Sequence, residues 1–198
     1  MILQAHYDAL EMLGYDSVWL TSGFLDTEFL ERQIAEYREE DDPDPEHYRS
    51  AAFDLWINAK ERYEDAEIRQ ISFLLEVDPE RDMALSVGCF LLKRNGLTDA
   101  QFQDLADTLE RMSEGRRNKT VTRERSLREL KKTENMAPEV FQKYMALADS
   151  AVQEYLLQHF AERNEEFLET LVEKGAARRV RNMAGQKLDS LKRKKRNA

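Results

Sequence analysis

Apolar side chains recur every three or four positions along most of this chain, the spacing of amphipathic α-helices. The first run, Ile2 to Leu13, stops at Gly14, a residue suited to the left-handed turn that ends helices. Tyr15 to Leu25 hold only the short apolar string Val18-Trp19-Leu20, which reads as a turn burying Trp19. Asp26 to Glu40 predict a second helix, with Leu30, Ile34 and Tyr37 on one face. Asp41-Asp42-Pro43-Asp44-Pro45 break it. The Asp44-Pro45 pair then opens the next helix: aspartate as N-cap, proline at the first helical position, Glu46 in the first turn. As far as Tyr63, its stripe is Tyr48, Ala52, Leu55, Trp56, Ala59 and Tyr63.

Asp65 to Val77 predict a helix through Ile68, Ile71, Leu74 and Leu75. Asp78-Pro79 repeats the opening signal, and the Pro79–Asn95 helix it begins is apolar nearly all round, the mark of a central, buried element. Gly96 ends it. Thr98 with Gln101 makes a capping box for a helix striped by Phe102, Leu105, Ala106, Leu109 and Met112. Glu114 to Thr120 lack periodicity and read as an exposed loop. A thin basic helix follows, Thr122 to Lys132, with only Leu127 and Leu130 to offer a core.

Pro138 begins the last and longest predicted helix. Phe141, Met145, Ala148, Val152, Leu156, Phe160, Phe167 and Leu171 hold one face through Lys174, interrupted by Asn164. One continuous helix of that extent is roughly 55 Å long. After Gly175 the apolar content collapses. The fold class predicted is all-α: a multi-helix bundle of about seven or eight helices, centred on Pro79–Asn95, with a long C-terminal helix and a basic C-terminal tail. Residues 1–175 read as a single helical domain and 176–198 as a tail, either frayed helix or disordered. The short helices between 44 and 112 resemble an α-solenoid but show no fixed repeat period in this reading.

Composition narrows the class. Glycine and proline number 7 and 4, too few for sheets and long loops, while 35% of residues are charged. Cys89 is the single cysteine, so no intrachain disulfide forms and a cytoplasmic location is the expectation. The first residues have no basic, apolar leader, and no apolar run approaches the roughly 20 residues of a membrane span. Net charge is −9, but it is segregated. Residues 1–110 carry −17, 111–132 carry +6, 133–173 carry −7 and 174–198 carry +9. That segregation is the most informative feature of the chain.

Catalytic and metal motifs are missing. There is no glycine-rich phosphate loop, nucleophile elbow or His-Glu-x-x-His. His6, His47 and His159 are far apart, and Asp44, three residues before His47, already serves as a cap. Cys89 lies among Val87, Phe90 and Leu91 and reads as a small buried hydrophobe. The acidic run of Glu39, Glu40, Asp41, Asp42, Asp44 and Glu46 lacks the alternating ligands and central glycine of a calcium loop, and reads as a solvated turn. No cofactor is expected.

The candidate sites are therefore surfaces. Arg116, Arg117, Lys119, Arg123, Arg125 and Arg128 form one basic block, suited either to phosphates or to the protein's own acidic faces. Arg178, Arg179, Arg181, Lys192, Arg193, Lys194, Lys195 and Arg196 form a second, without the aromatics that stack bases. Phe160, Phe167, Leu168, Leu171 and Val172, on the far half of the long helix, predict a helix interface or an antiparallel homodimer. The expected function is non-enzymatic: an adaptor, inhibitor or regulatory subunit that binds another protein through helix faces and segregated charge. The alternative is a nucleic-acid-associated protein holding DNA or RNA phosphates through 116–132 and 178–196, with little base specificity. An enzyme with scattered carboxylates ranks third, and membrane binding is not expected.

Overall fold

The computed structural model describes residues 4–116, 118–161 and 164–196. Among these every regular element is a helix, as the spacing requires, and they number twelve. The chain divides into two compact units, Met1–Val121 and Thr122–Ala198, where the sequence reading placed one domain over 1–175. Each unit has its own core.

The first unit contains α1 (Gln4–Met12), α2 (Val18–Thr21), α3 (Thr27–Glu39), α4 (Pro45–Asn58), α5 (Asp65–Val77), α6 (Arg81–Leu92) and α7 (Asp99–Met112). Gly14, at φ 68, turns the chain out of α1. Trp19 is buried, as expected, but inside the four-residue helix α2. Its ring meets Tyr15 and Phe53 edge-on at 4.9 and 4.5 Å. Below it Gln33 is satisfied on both sides: its Nε2 donates to the Tyr48 carbonyl at 2.7 Å, and its Oε1 lies 2.8 Å from the Tyr15 hydroxyl. A buried amide without such partners would cost about 1–3 kcal/mol.

Helices α4 to α7 are two successive helical hairpins with a fixed offset, which corrects the reading that no period exists. Asp65 and Asp99, 34 positions apart, open α5 and α7. Both helices carry capping boxes, Glu64 with Glu67 and Thr98 with Gln101, at the same offset. Asp44 and Asp78 share it too, each accepting from the amide two residues on. Core positions follow: Phe53 and Val87, Ile57 and Leu91, Ile68 and Phe102, Ile71 and Leu105, Leu75 and Leu109 are buried in pairs. Helix α4 packs on α6, α5 on α6 and α7, and α6 on α7, so both helices of the first pair rest on the second pair. Gly96 is obligatory between α6 and α7, because a Cβ there would sit 1.8 Å from the Glu61 carbonyl oxygen. Helix α6 begins at Arg81, two residues after Pro79, and is not buried all round. Phe90 is 42% exposed, and Leu85 and Cys89 are half-buried.

Helix α8 (Lys119–Lys131) carries the boundary between the units, and Asn118 caps it by accepting from Thr120 and Val121. The second unit continues with α9 (Pro138–Met145), α10 (Ser150–His159), α11 (Glu165–Lys174) and α12 (Arg178–Arg196). The single helix expected from Pro138 to Lys174 is thus three. Ala148 takes φ 51, and Asp149 caps α10 through the amides of Ala151 and Val152. Asn164 caps α11 through the amide of Phe167. Short polar side chains that bond nearby amides start helices better than they continue them.

Folding back brings Phe141 of α9 onto Phe167 of α11, rings parallel and 4.0 Å apart. Gln153, fully buried, accepts from the Ala176 amide at 2.6 Å and donates to the Met145 carbonyl, pinning the turn before α12. Residues 178–196 are a helix with Val180 and Ala184 buried and Ala177, Met183, Leu188 and Leu191 packed beside them, not a loose tail. Those residues recur at three- and four-residue spacing, a thin stripe among nine cations.

Candidate interaction surfaces

No group of histidine, cysteine and carboxylate side chains among the described residues is arranged to hold a metal ion. His6 lies 3.1 Å from Glu31, His47 is exposed beside Asp44, and His159 stacks on Tyr155. Cys89 is half-buried, with Asn118 Oδ1 3.8 Å from its sulfur. A cleft of about 380 Å³ runs between α1 and α3, floored by Leu30 and Ile34 and rimmed by His6, Glu31 and Arg38. Of the acidic run, Asp44 caps α4 and Glu39, Glu40, Asp41 and Asp42 are exposed.

The first basic block is not one surface. Arg116 and Lys119 are exposed, and Arg117 lies outside the described residues. Arg123 Nε donates to Asp149 at 2.8 Å, so it serves the cap of α10, while Arg125 and Arg128 are half-buried. The second block splits by helix face. Lys192 bonds Glu169 at 2.9 Å and lies 3.5 Å from Glu165, Lys195 reaches Glu165, and Arg181 donates to the Gly175 carbonyl. Bonding to Lys195, with Lys192 close by, holds the Glu165 carboxyl below its ordinary range. Bonding to Glu169 and then Glu165 holds the Lys192 ammonium above its own. These cations fasten α12 to α11. Arg179 lies 3.5 Å from Glu154, and Arg178, Arg193, Lys194 and Arg196 are exposed and make no ion pair among the described residues.

The predicted helix interface is interior. Phe167, Leu168 and Leu171 are buried in the second core, with Phe160 and Val172 packed against it. The chain's own α12, unforeseen as a packed helix, covers what a second copy was expected to cover.

Sequence reasoning missed the apolar positions of the first unit that do face out. Phe73 and Val77, one turn apart on α5, are 44% and 39% exposed. On α4, Leu55 is 55% exposed. Arg111 of α7 reaches Glu76 of α5 at 2.8 Å, so the outward faces of those two helices adjoin. On α7 the neighbouring positions are Asp104, Asp107 and Glu110. Residues 1–121 hold 27 acidic and 13 basic residues, net −14. Residues 122–198 hold 12 and 17, net +5.

Tyr144, in the second unit, donates to Glu129 at 2.8 Å. Burial first, then that carboxylate, pushes its phenol up to about 12. Below pH 10 the group is neutral whether folded or not. Between about 10 and 12 only the unfolded chain ionises, so this contribution to stability is lost as pH rises. Subtracting the phenolate absorbance titration of Tyr144→Phe from that of the unaltered protein is expected to isolate a transition near 12. Glu129→Gln is expected to move it partway towards 10. A difference curve centred at 10 would refute the contact.

Compared with known proteins, the chain matches no family model, no curated protein and no solved structure.

Proposed function

We propose that this is a non-enzymatic interaction protein whose first unit binds a protein partner on the outward face of its helical hairpins. The observation that carries the reading is the contrast between the two hairpins. At the 34-residue offset, Phe73 and Val77 correspond to Asp107 and Arg111. The second hairpin packs with polar residues at those places, so hairpin folding does not call for apolar ones. Single exposed hydrophobes are ordinary on any surface. An adjacent pair at positions that the fold leaves free favours a binding role, since interfaces centre on such anchors. The acidic surroundings favour a partner segment with lysine or arginine around its apolar side chains. The alternative, a nucleic-acid partner, is less well supported over the 116–132 block, because Arg123 is bound internally.

The test is affinity capture with the full chain and with Phe73→Ser/Val77→Ser, after circular dichroism confirms equal helicity. A partner retained by the unaltered chain and weakened at least about tenfold by the double change supports the reading, two buried anchors being worth about 1–3 kcal/mol or more. Retention of the same proteins by both chains would refute it.

A further inference from the structure

Helix α12 carries a second surface, independent of the face on α5. At 100° per residue, Arg179, Asn182, Gln186, Ser190 and Arg193 fall within one stripe, and all five are exposed. The opposite side of the helix is spent on packing: Val180 and Ala184 are buried, and Lys192 and Lys195 bind Glu165 and Glu169 of α11. The stripe is therefore presented by a helix whose back is fixed. Its ends are guanidinium groups, and its middle is two amides and a hydroxyl. Asp189, the one carboxylate of α12, lies on its flank with Arg178 and Arg196.

Two features set this stripe apart from a merely solvated face. Arg178 occupies the first turn of α12, where the helix dipole disfavours cations, with no ion pair among the described residues, and Arg179 beside it has one carboxylate, Glu154 of α10 at 3.5 Å, its side chain staying 74% exposed. An anion laid across that end removes the penalty. In addition, Arg193 of the stripe and the flanking Arg178, Lys194 and Arg196 have no ion pairs among the described residues, although carboxylates of α11 hold Lys192 and Lys195.

The composition of the stripe chooses among polyanions. A protein interface has apolar or aromatic anchors at its centre, and this centre has none. A membrane surface needs an apolar face turned outward, but the apolar face of α12 is in the core. Single strands are held by stacking on aromatic rings, and α12 has no aromatic residue. The major groove of duplex RNA is too deep and narrow for side chains to read. Duplex DNA remains. Its major groove is about 12 Å wide and takes one α-helix of about that diameter. Arg179 and Arg193 are about 21 Å apart along the axis at 1.5 Å per residue, long enough for both ends to reach the phosphate walls. Asparagine and glutamine between them match the paired donor and acceptor of an adenine edge.

We infer that the outward face of α12 docks in the major groove of double-stranded DNA, with Arg179 and Arg193 on phosphates and Asn182 and Gln186 against base edges. The basic terminus is then a folded reading helix, where the sequence had offered only unspecific phosphate contacts.

The experiment uses the full chain and labelled mixed-sequence duplex DNA, read by fluorescence anisotropy across a salt series, with polyglutamate as the competing polyanion. The unaltered chain is expected to bind duplex DNA more tightly than polyglutamate, with log Kd linear in log salt. Arg179→Ala/Arg193→Ala is expected to weaken binding at least about tenfold and to lower the salt slope by about 2, near 0.9 per phosphate contact. Arg179→Gln/Arg193→Gln provides a second pair should the alanine variant lose helicity. Asn182→Ala/Gln186→Ala is expected to keep the slope while abolishing the sequence preference that the unaltered chain shows in selection from random duplexes. Absence of binding at about 50 mM salt, or equal binding by the arginine variants, would overturn the inference. So would a sequence preference untouched by the amide changes. Tighter binding to polyglutamate than to DNA would overturn it in favour of an acidic protein surface. None of these results bears on Phe73 and Val77, so the two proposals fail separately.

Discussion

Arg49→Ala is expected to remove about 3–5 kcal/mol from the stability of the first unit, the usual loss when one member of a buried ion pair is taken away. Arg49 is 2% exposed, and the side chain of its partner Asp78 is as thoroughly buried. The guanidinium Nε donates to Asp78 at 3.1 Å, and Nη1 donates to the Leu13 carbonyl at 2.8 Å. Asp78 in turn accepts from the Glu80 amide at 2.8 Å, just ahead of α6. One side chain thus ties the end of α1, the body of α4 and the approach to α6. Burial still pushes the Asp78 carboxyl above its ordinary range, against the pull of the Glu80 amide and Arg49. A carboxylate already poorly solvated has most to lose when its cation goes. Gly14 belongs to the same device, since a Cβ there would stand 2.7 Å from Nη1 of Arg49.

Both tryptophans, Trp19 and Trp56, lie in this unit, so urea denaturation read by their fluorescence reports it alone. Arg49→Met/Asp78→Asn is expected to lose clearly less than the sum of the single changes, because it removes both charges together. Strict additivity, or a loss below about 1 kcal/mol for Arg49→Ala, would mean that the pair is not buried as described.

The existence of the helices was legible from spacing and caps; their grouping was not. The 34-residue offset stands in the sequence at Asp44 and Asp78, and at Glu64-x-x-Glu67 and Thr98-x-x-Gln101. It hides because the stripes between those caps share size more than identity. Trp56 answers to Phe90, Leu74 to Thr108, and Phe73 to Asp107. The same divergence that conceals the repeat marks Phe73 and Val77 as unneeded by it, so the candidate surface becomes visible only once the hairpins are aligned. Asp149 and Asn164 were legible in principle, being good caps, but each sits within an apolar stripe that continues across it. The left-handed Ala148 gives no sign in its side chain. In α12, charge hid the stripe. Nine cations lower mean hydropathy enough to suggest disorder, while small residues such as Ala184 meet the core at helical spacing. The cations at its ends could be named in advance. Which of them face outward, beside Asn182 and Gln186, follows only from the packing on α11.

Phe141→Ala is expected to cost the second unit about 3–5 kcal/mol, the range for truncating a fully buried aromatic ring. The size of the effect tests burial, and its coupling tests the path of the chain. In one straight helix Phe141 and Phe167 would be about 39 Å apart at 1.5 Å per residue, and their truncations would add independently. In the folded-back arrangement the rings are stacked at 4.0 Å and share one cavity, so Phe141→Ala/Phe167→Ala is expected to fall short of the sum by about 0.5–1.5 kcal/mol. No tryptophan reports on this unit, so hydrogen exchange resolved by mass spectrometry over residues 138–174 is the readout. Protection of α9, α10 and α11 should fall together in each single variant, since Gln153 and the Phe141–Phe167 stack hold the three helices against the turn before α12. Loss of protection confined to α9 in Phe141→Ala, with α11 unchanged, would show that the rings do not meet. The long helix would then return as the better description, and its second half would again need a partner.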